Sequence, residues 1–94
     1  MSVVRSHTYT VDPADLEEFL ARRASLIATV RETHPGLTRA VLVQLDDDTY
    51  SDTWYWASGE QMRAAFEATF PEAPLTMALT KDATSRNGQL VDER

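Results

Sequence analysis

The spacing of apolar residues switches from alternation to a helical period early in the chain, and this switch limits the possible folds. Residues 3–11 alternate, which is typical of a strand. Asp12-Pro13 then favours a helix start, because Asp can accept from a free backbone N–H and Pro lacks one. His34-Pro35-Gly36 favours a helix end. The sequence predicts a strand over Val3–Val11 and a helix from about Pro13 to Thr33. The positions at helical spacing are Leu16, Phe19, Leu20, Arg23, Ile27 and Val30.

Two further strand patterns follow, separated by three acidic residues. Leu37–Leu45 and Thr49–Ala57 are both rich in β-branched or aromatic side chains. Asp46-Asp47-Asp48 is a short polar connection between them. Two strands joined in this way predict a β-hairpin.

A second helix is predicted after the hairpin. Ser58 and Gln61 have the spacing of a capping box, and Pro71 and Pro74 are expected to end the helix. Its apolar stripe is formed by Met62, Ala65, Phe66, Thr69 and Phe70.

The C-terminal quarter carries weaker signals. Leu75–Leu79 is expected to form a short helical turn, and Asn87-Gly88 is a turn signal. Gln89–Glu93 is expected to be a short last strand. Residues 71–86 would then be either a lid over a pocket or a surface connection.

The predicted order of elements is β-α-β-β-α-β. We expect an α+β, ferredoxin-like antiparallel sheet with both helices on one face, in a single domain over residues 1–94. The middle strands carry apolar groups on both faces, although two helices can cover only one. A second copy of the chain is the simplest cover for the other face.

The charge balance excludes several classes of partner. The chain has 15 acidic and 9 basic residues, a net charge of −6 and a single lysine, Lys81. Nucleic acids and anionic membranes are therefore not expected to bind. The sequence has no cysteine and no apolar run long enough to span a bilayer, so we expect no disulfide and a cytoplasmic location.

A longer stretch of the chain resembles a known family. Pro35-Gly36-Leu37, a strand, an acidic hairpin, an aromatic strand and the helix start at Trp56–Gln61 are similar to the antibiotic biosynthesis monooxygenase (ABM-like) family. With the first strand and helix, the resemblance covers about Val3–Phe70. It implies a dimeric α+β barrel, in which two ferredoxin-like sheets close face to face.

The resemblance also implies candidate activities and residues. The family includes cofactor-independent oxygenases that convert phenolic polyketides to quinones, haem-degrading enzymes and proteins that process quorum signals. In the quinone-forming type, an Asn precedes a strand Trp by four residues and a Tyr follows it by six. Trp56 matches that Trp, whereas Asp52 and Met62 stand at the other two positions.

Asp52 is the first catalytic candidate. Alternation places it on the same strand face as Tyr50, Trp54 and Trp56. In an apolar pocket such a carboxylate can act as a general base toward a phenol or an activated C–H. Alternatively, it accepts hydrogen bonds from the backbone or from an arginine such as Arg39 or Arg5.

His7 is the second catalytic candidate, because imidazole titrates near neutral pH. If His7 and Asp52 share a face, they could form a polar pair; otherwise His7 is a solvated or hydrogen-bonded strand residue. Aromatic and apolar side chains are expected to shape a substrate pocket, although plain core packing is the alternative for the tryptophans. The predicted substrate-binding residues are Trp56, Trp54, Tyr50, Met62 and Phe66.

The leading functional hypothesis is a cofactor-independent monooxygenase acting on a small aromatic or polyketide-like substrate, with no metal or organic cofactor. One alternative is a non-catalytic module of the same fold that binds a small ligand or a partner protein. Another is an isomerase or decarboxylase that uses the carboxylate without O2. Fold alone does not choose among these hypotheses.

Overall fold

The chain folds into a four-stranded antiparallel sheet with its helices packed on one face. The computed structural model describes residues 2–94. The strand order is β2-β3-β1-β4, and every neighbouring pair is antiparallel. This is the predicted α+β, ferredoxin-like class. The elements are β1 (Val3–Val11), a 3-10 turn (Pro13–Asp15), α1 (Leu16–Thr33), β2 (Leu37–Gln44), β3 (Thr49–Trp56), α2 (Gly59–Glu67), α3 (Glu72–Met77) and β4 (Thr80–Gln89).

The first helix begins as the sequence predicts. The Asp12 carboxylate accepts from the Ala14 backbone N–H at 2.9 Å, and Pro13 occupies a position that needs no N–H. The first three residues form a 3-10 turn, and α1 then runs to Thr33. Leu20, predicted on the apolar face, is 44% exposed. It lies at the solvent edge of the stripe instead of in the core.

The second helix is shorter than its apolar stripe suggests. The Ser58 hydroxyl accepts from the Gln61 N–H at 3.2 Å, which is the predicted cap. The helix ends at Glu67, however, because Ala68 has an extended backbone with ψ of 155°. Phe70 therefore lies on the connection to α3 and not on α2, and the two prolines act after the helix has already ended.

The last strand is the main correction to the sequence prediction. β4 spans Thr80–Gln89 and pairs along β1, whereas Gln89–Glu93 was expected to form the strand. Asn87-Gly88, expected as a turn, lies inside β4 opposite Arg5 and Val4. The short helix α3 begins at Glu72, three residues before the predicted turn. Residues 71–86 are thus not a plain connection, since they contain α3 and most of β4.

The core lies between the sheet and the helices, in two clusters. The first contains Trp56 and Leu37 with residues of α1 and α2, and the second contains Tyr9, Tyr50 and Phe19. Pairing of Leu42 with Asp52 and of Val43 with Ser51 sets the two faces of β2. Leu42 faces the helices, while Val43 lies on the opposite face and is 48% exposed. No helix in residues 2–94 is long and apolar enough to cross a membrane.

Candidate functional site

A cavity of about 190 Å³ lies between the sheet and the helices. Its walls are predominantly apolar, and on its exposed side Phe66 and Met77 are 49% and 36% accessible. An apolar cavity of about 150 Å³ can hold a benzene ring, so a compact aromatic molecule suits this space. The lining residues are Arg5, His7, Tyr9, Phe19, Arg23, Leu26, Val30, Asp52, Trp54, Trp56, Ala65, Phe66, Phe70, Ala73, Thr76 and Met77.

Asp52 lies at the polar end of this cavity and is only 6% exposed. Its carboxylate accepts two hydrogen bonds from Arg23, from Nε at 3.0 Å and from Nη2 at 2.8 Å. It also accepts from the Tyr9 hydroxyl at 2.6 Å and from the Trp54 indole N–H at 3.0 Å. A carboxylate has about four lone-pair sites, so these four donors saturate it.

Arg23 is a residue of this candidate site that was not predicted from the sequence. The partner of Asp52 is neither Arg39 nor Arg5, the two arginines considered from sequence. Arg39 lies over the Tyr55 ring, on the sheet face away from the helices, and Arg5 bonds to β4 side chains. The available signal was an arginine inside the apolar stripe of α1, because a buried cation requires a buried anion.

His7 and Asp52 face each other directly across β1 and β3. The structure therefore places the two catalytic candidates on one face, which was left open by the sequence. Within residues 2–94 no hydrogen bond joins them, because the donors around Asp52 come from other side chains. Burial and the positive charge of Arg5 lower the pKa of His7 from its ordinary value of 6.5, while the charge of Asp52 opposes this shift.

Tyr9 keeps its proton at this site. Burial, the negative charge of Asp52 and the hydrogen bond to it raise the pKa of the Tyr9 hydroxyl above its ordinary value of 10.0, against an opposing effect of Arg23. The hydroxyl therefore serves as a fixed hydrogen-bond donor to Asp52. The aromatic ring of Tyr9 packs edge-on against Phe19, with ring centroids 5.5 Å apart.

Trp54, Trp56 and Phe66, three of the predicted substrate-binding residues, line the cavity. Trp56 is completely buried, and its indole N–H has no hydrogen-bond partner in the described part of the chain. The N–H therefore stays unsatisfied, which is unfavourable for a buried donor. The Phe66 ring packs edge-on against Trp56 at 6.1 Å.

Tyr50 and Met62 do not line the cavity. Tyr50 pairs with Tyr9 near the far end of the sheet and packs in the second core cluster. Met62 packs against the first core cluster, because α2 directs Ala65 and Phe66 toward the cavity instead. Both residues lie behind the wall of the site. In residues 2–94 no group of three or more His, Cys, Asp or Glu side chains is arranged to hold a metal ion.

Comparison with solved structures confirms that the fold resembles that of ABM-like proteins. The chain is 25% identical to a variant of SnoaB, a cofactor-independent oxygenase from Streptomyces nogalater, over 99% of this chain and 94% of that chain, with a TM-score of 0.73. No family profile and no curated protein matches the sequence.

Two further solved structures share the fold at lower identity. A candidate antibiotic biosynthesis monooxygenase from Caulobacter crescentus is 17% identical, covering 97% of this chain and 91% of that chain, with a TM-score of 0.77. A dimeric ferredoxin-like protein from an uncultured marine organism is 15% identical, covering 99% and 90%, with a TM-score of 0.72. The structural neighbours thus include a cofactor-independent oxygenase, and the monooxygenase-like fold is shared along nearly the whole chain.

Proposed function

We propose that this protein is a cofactor-independent oxygenase that acts on a small aromatic or polyketide-like substrate. The observation that carries the proposal is the aromatic cavity that His7, Trp54 and Phe66 line together. The similarity to SnoaB, itself described as a cofactor-independent oxygenase, supports the same reaction class.

His7 is the proposed proton acceptor. Its lowered pKa leaves the imidazole neutral at pH 7, so that a ring nitrogen can take a proton from a phenol or an activated C–H. The nearby Arg5 charge, which contributes to that shift, also stabilises the substrate anion that forms.

The deprotonated substrate then reacts with O2. One electron passes from the anion to O2, and recombination of the two radicals forms a carbon-bound hydroperoxide after protonation. Loss of water from a hydroperoxide that retains one C–H leaves a carbonyl group. The net change converts a CH2 group and O2 into C=O and H2O. O2 is the oxidant, and His7 is the proton acceptor.

Asp52 has a different role in this proposal from the one expected at the sequence level. Its four hydrogen-bond donors leave no free lone pair for a substrate proton. We therefore assign it as a positioning residue, which holds Arg23, Tyr9 and Trp54 in fixed orientations around the cavity. Trp54, Trp56 and Phe66 bind the substrate ring, while Tyr50 and Met62 support the wall from behind.

The proposal includes a homodimer closed through the sheet face that the helices leave open. Val41, Val43 and Tyr55 lie on that face, opposite the side of Asp52. The dimeric ferredoxin-like neighbour supports this assembly. In a dimeric α+β barrel, this face of each chain packs against its copy while the cavity stays on the helix side.

Oxygen uptake with a simple probe tests the proposed reaction. Anthrone carries an activated CH2 group between aromatic rings, and we expect the purified protein to accelerate its conversion to the quinone with one O2 consumed per turnover. His7→Gln is expected to lower kcat by about 10²-fold or more, the usual contribution of a general base. His34→Gln, which removes the only other histidine, is the matched control and should keep the activity.

The pH profile gives a second test that does not depend on a variant. Turnover should fall as pH decreases through the pKa of His7, which lies below 6.5.

Two outcomes of the oxygen-uptake assay would favour the alternative functions. Substrate consumption without O2 uptake would indicate an isomerase or decarboxylase. Tight binding of the probe with no turnover by the wild-type protein would overturn the oxygenase proposal in favour of a binding module.

A further inference from the structure

Arg5 occupies an unusual electrostatic position at the cavity. Its guanidinium lies over the Phe66 ring, 4.7 Å from the centroid, and donates to Asn87 Oδ1 at 2.9 Å and to Ser85 Oγ at 3.1 Å. Both hydrogen-bond partners are neutral. These contacts fix the guanidinium beside the cavity without neutralising its charge.

The other charged groups at the cavity do not compensate Arg5. Asp52 is the only carboxylate among the lining residues, and its charge is paired with Arg23. None of the ion pairs formed within residues 2–94 includes Arg5. With His7 neutral, the lining carries one net positive charge, although the whole chain has a net charge of −6.

An uncompensated cation beside apolar walls is complementary to an anion attached to an apolar body. The guanidinium has five N–H donors, and the two recorded hydrogen bonds leave others for a ligand. Its planar fork matches a carboxylate, which accepts two parallel hydrogen bonds. The aromatic walls of Trp54, Trp56 and Phe66 suit a ring.

We infer that the ligand of this cavity is an aromatic carboxylate, with its ring against the tryptophans and its carboxylate on Arg5. This inference deepens the proposed function by naming a substrate class, and it rests on that proposal only for the choice of cavity. Arg5 is thereby a specificity-determining residue, distinct from the proton acceptor His7.

A binding experiment tests this inference without any turnover. The two tryptophans of the chain both line the cavity, so their fluorescence reports occupancy directly. We would titrate the wild-type protein under nitrogen with 2-naphthoate and with its neutral methyl ester. Charge-assisted hydrogen bonding should make naphthoate bind about tenfold or more tightly than the ester. Equal affinities for the acid and the ester would overturn the inference.

Two variants separate specificity from a purely structural role of Arg5. Arg5→Gln should abolish the preference for naphthoate while the affinity for the ester changes little. Asn87→Asp keeps the arginine and its stacking on Phe66 but supplies a carboxylate partner, and it should weaken naphthoate binding alone. If either folded variant keeps the full preference, Arg5 does not select the ligand.

Arg39→Gln is the matched control, because Arg39 also lies over an aromatic ring, at 5.3 Å from Tyr55, but on the other face of the sheet. It should retain the preference for naphthoate. The binding result is independent of the oxygenase assay: selective binding without O2 uptake would overturn only the proposed reaction, and O2 uptake without selective binding would overturn only the substrate class.

Discussion

At the scale of single residues, the ion pair of Asp52 and Arg23 ties the sheet to α1. Their side chains are 8% and 13% exposed, so each charge depends on the other for compensation. Asp52→Asn leaves the Arg23 charge buried without a counter-ion and should lower the free energy of unfolding by about 3–5 kcal/mol. Urea unfolding followed by fluorescence measures this loss.

The exposed pair of Asp92 and Arg94 is the matched control. Its side chains are 62% and 90% accessible, so Asp92→Asn should change the unfolding free energy by less than about 1 kcal/mol.

Combining Asp52→Leu with Arg23→Met should lower the unfolding free energy by less than the sum of the two single changes, because the double variant leaves no unpaired charge. Additive losses would show that the two side chains are not coupled.

His7 should make stability depend on pH below neutrality. Its folded pKa lies below the ordinary 6.5 of the unfolded chain, so the unfolded state binds a proton first as pH falls. The free energy of unfolding should therefore decrease as pH drops from about 6.5 through the lower, folded pKa. Urea unfolding at pH 7.5 and pH 5.0 should show a smaller decrease for His7→Gln than for wild type. An unchanged decrease would assign the effect to the carboxylates.

The residues of the site were predictable to different degrees. Strict alternation placed Asp52, Trp54 and Trp56 on one face of β3, and the structure has them there. The partner of Asp52 depends on how α1 lies across the sheet, and local spacing carries no information about that contact. Arg23 stood among apolar positions of a helix, and this exception to the pattern was the only local sign of its role.

At the scale of secondary-structure elements, β4 is a strand that the periodicity of apolar residues does not predict. Each of its residues after Thr80 is exposed, because it is an edge strand with little core to cover. A strand without a buried face needs no apolar alternation, so TKDATSRNGQ resembles a loop. β1, β2 and β3 were predicted to within one residue, since each has a face in the core.

The bulge in β4 yields a prediction for this element. Thr8 pairs with Thr84 and Thr10 with Lys81, so β4 has one residue more than β1 between these two pairs. Asp82 lies in this bulge and adopts a positive φ of 55°. A β-branched residue is strained there, whereas glycine is not. Asp82→Val should lower the unfolding free energy by about 1–2 kcal/mol. Asp82→Gly is the matched control and should not lower it by a similar amount; equal losses would mean that the backbone angle is not the cause.

At the scale of the whole molecule, one face of the sheet is covered by the helices and the other is open in the single chain. The helices bury one face, where both core clusters and the cavity lie. The other face keeps apolar side chains in contact with solvent in the single chain, with Val43 48% exposed. A domain of 94 residues buries a limited share of its surface, so pairing through this face would add a second apolar layer.

The proposed dimer gives a prediction for the assembled molecule. Val43→Asp would place an unpaired carboxylate inside the barrel, where its desolvation is costly, so the dimer should dissociate to monomers at micromolar concentration. Leu20→Asp is the matched control, because Leu20 is 44% exposed but lies on α1, on the helix side. Native mass spectrometry of wild type and both variants reports subunit count and any co-purified aromatic acid together. A wild-type monomer at this concentration, or a Val43→Asp dimer as stable as the wild type, would contradict pairing through the sheet.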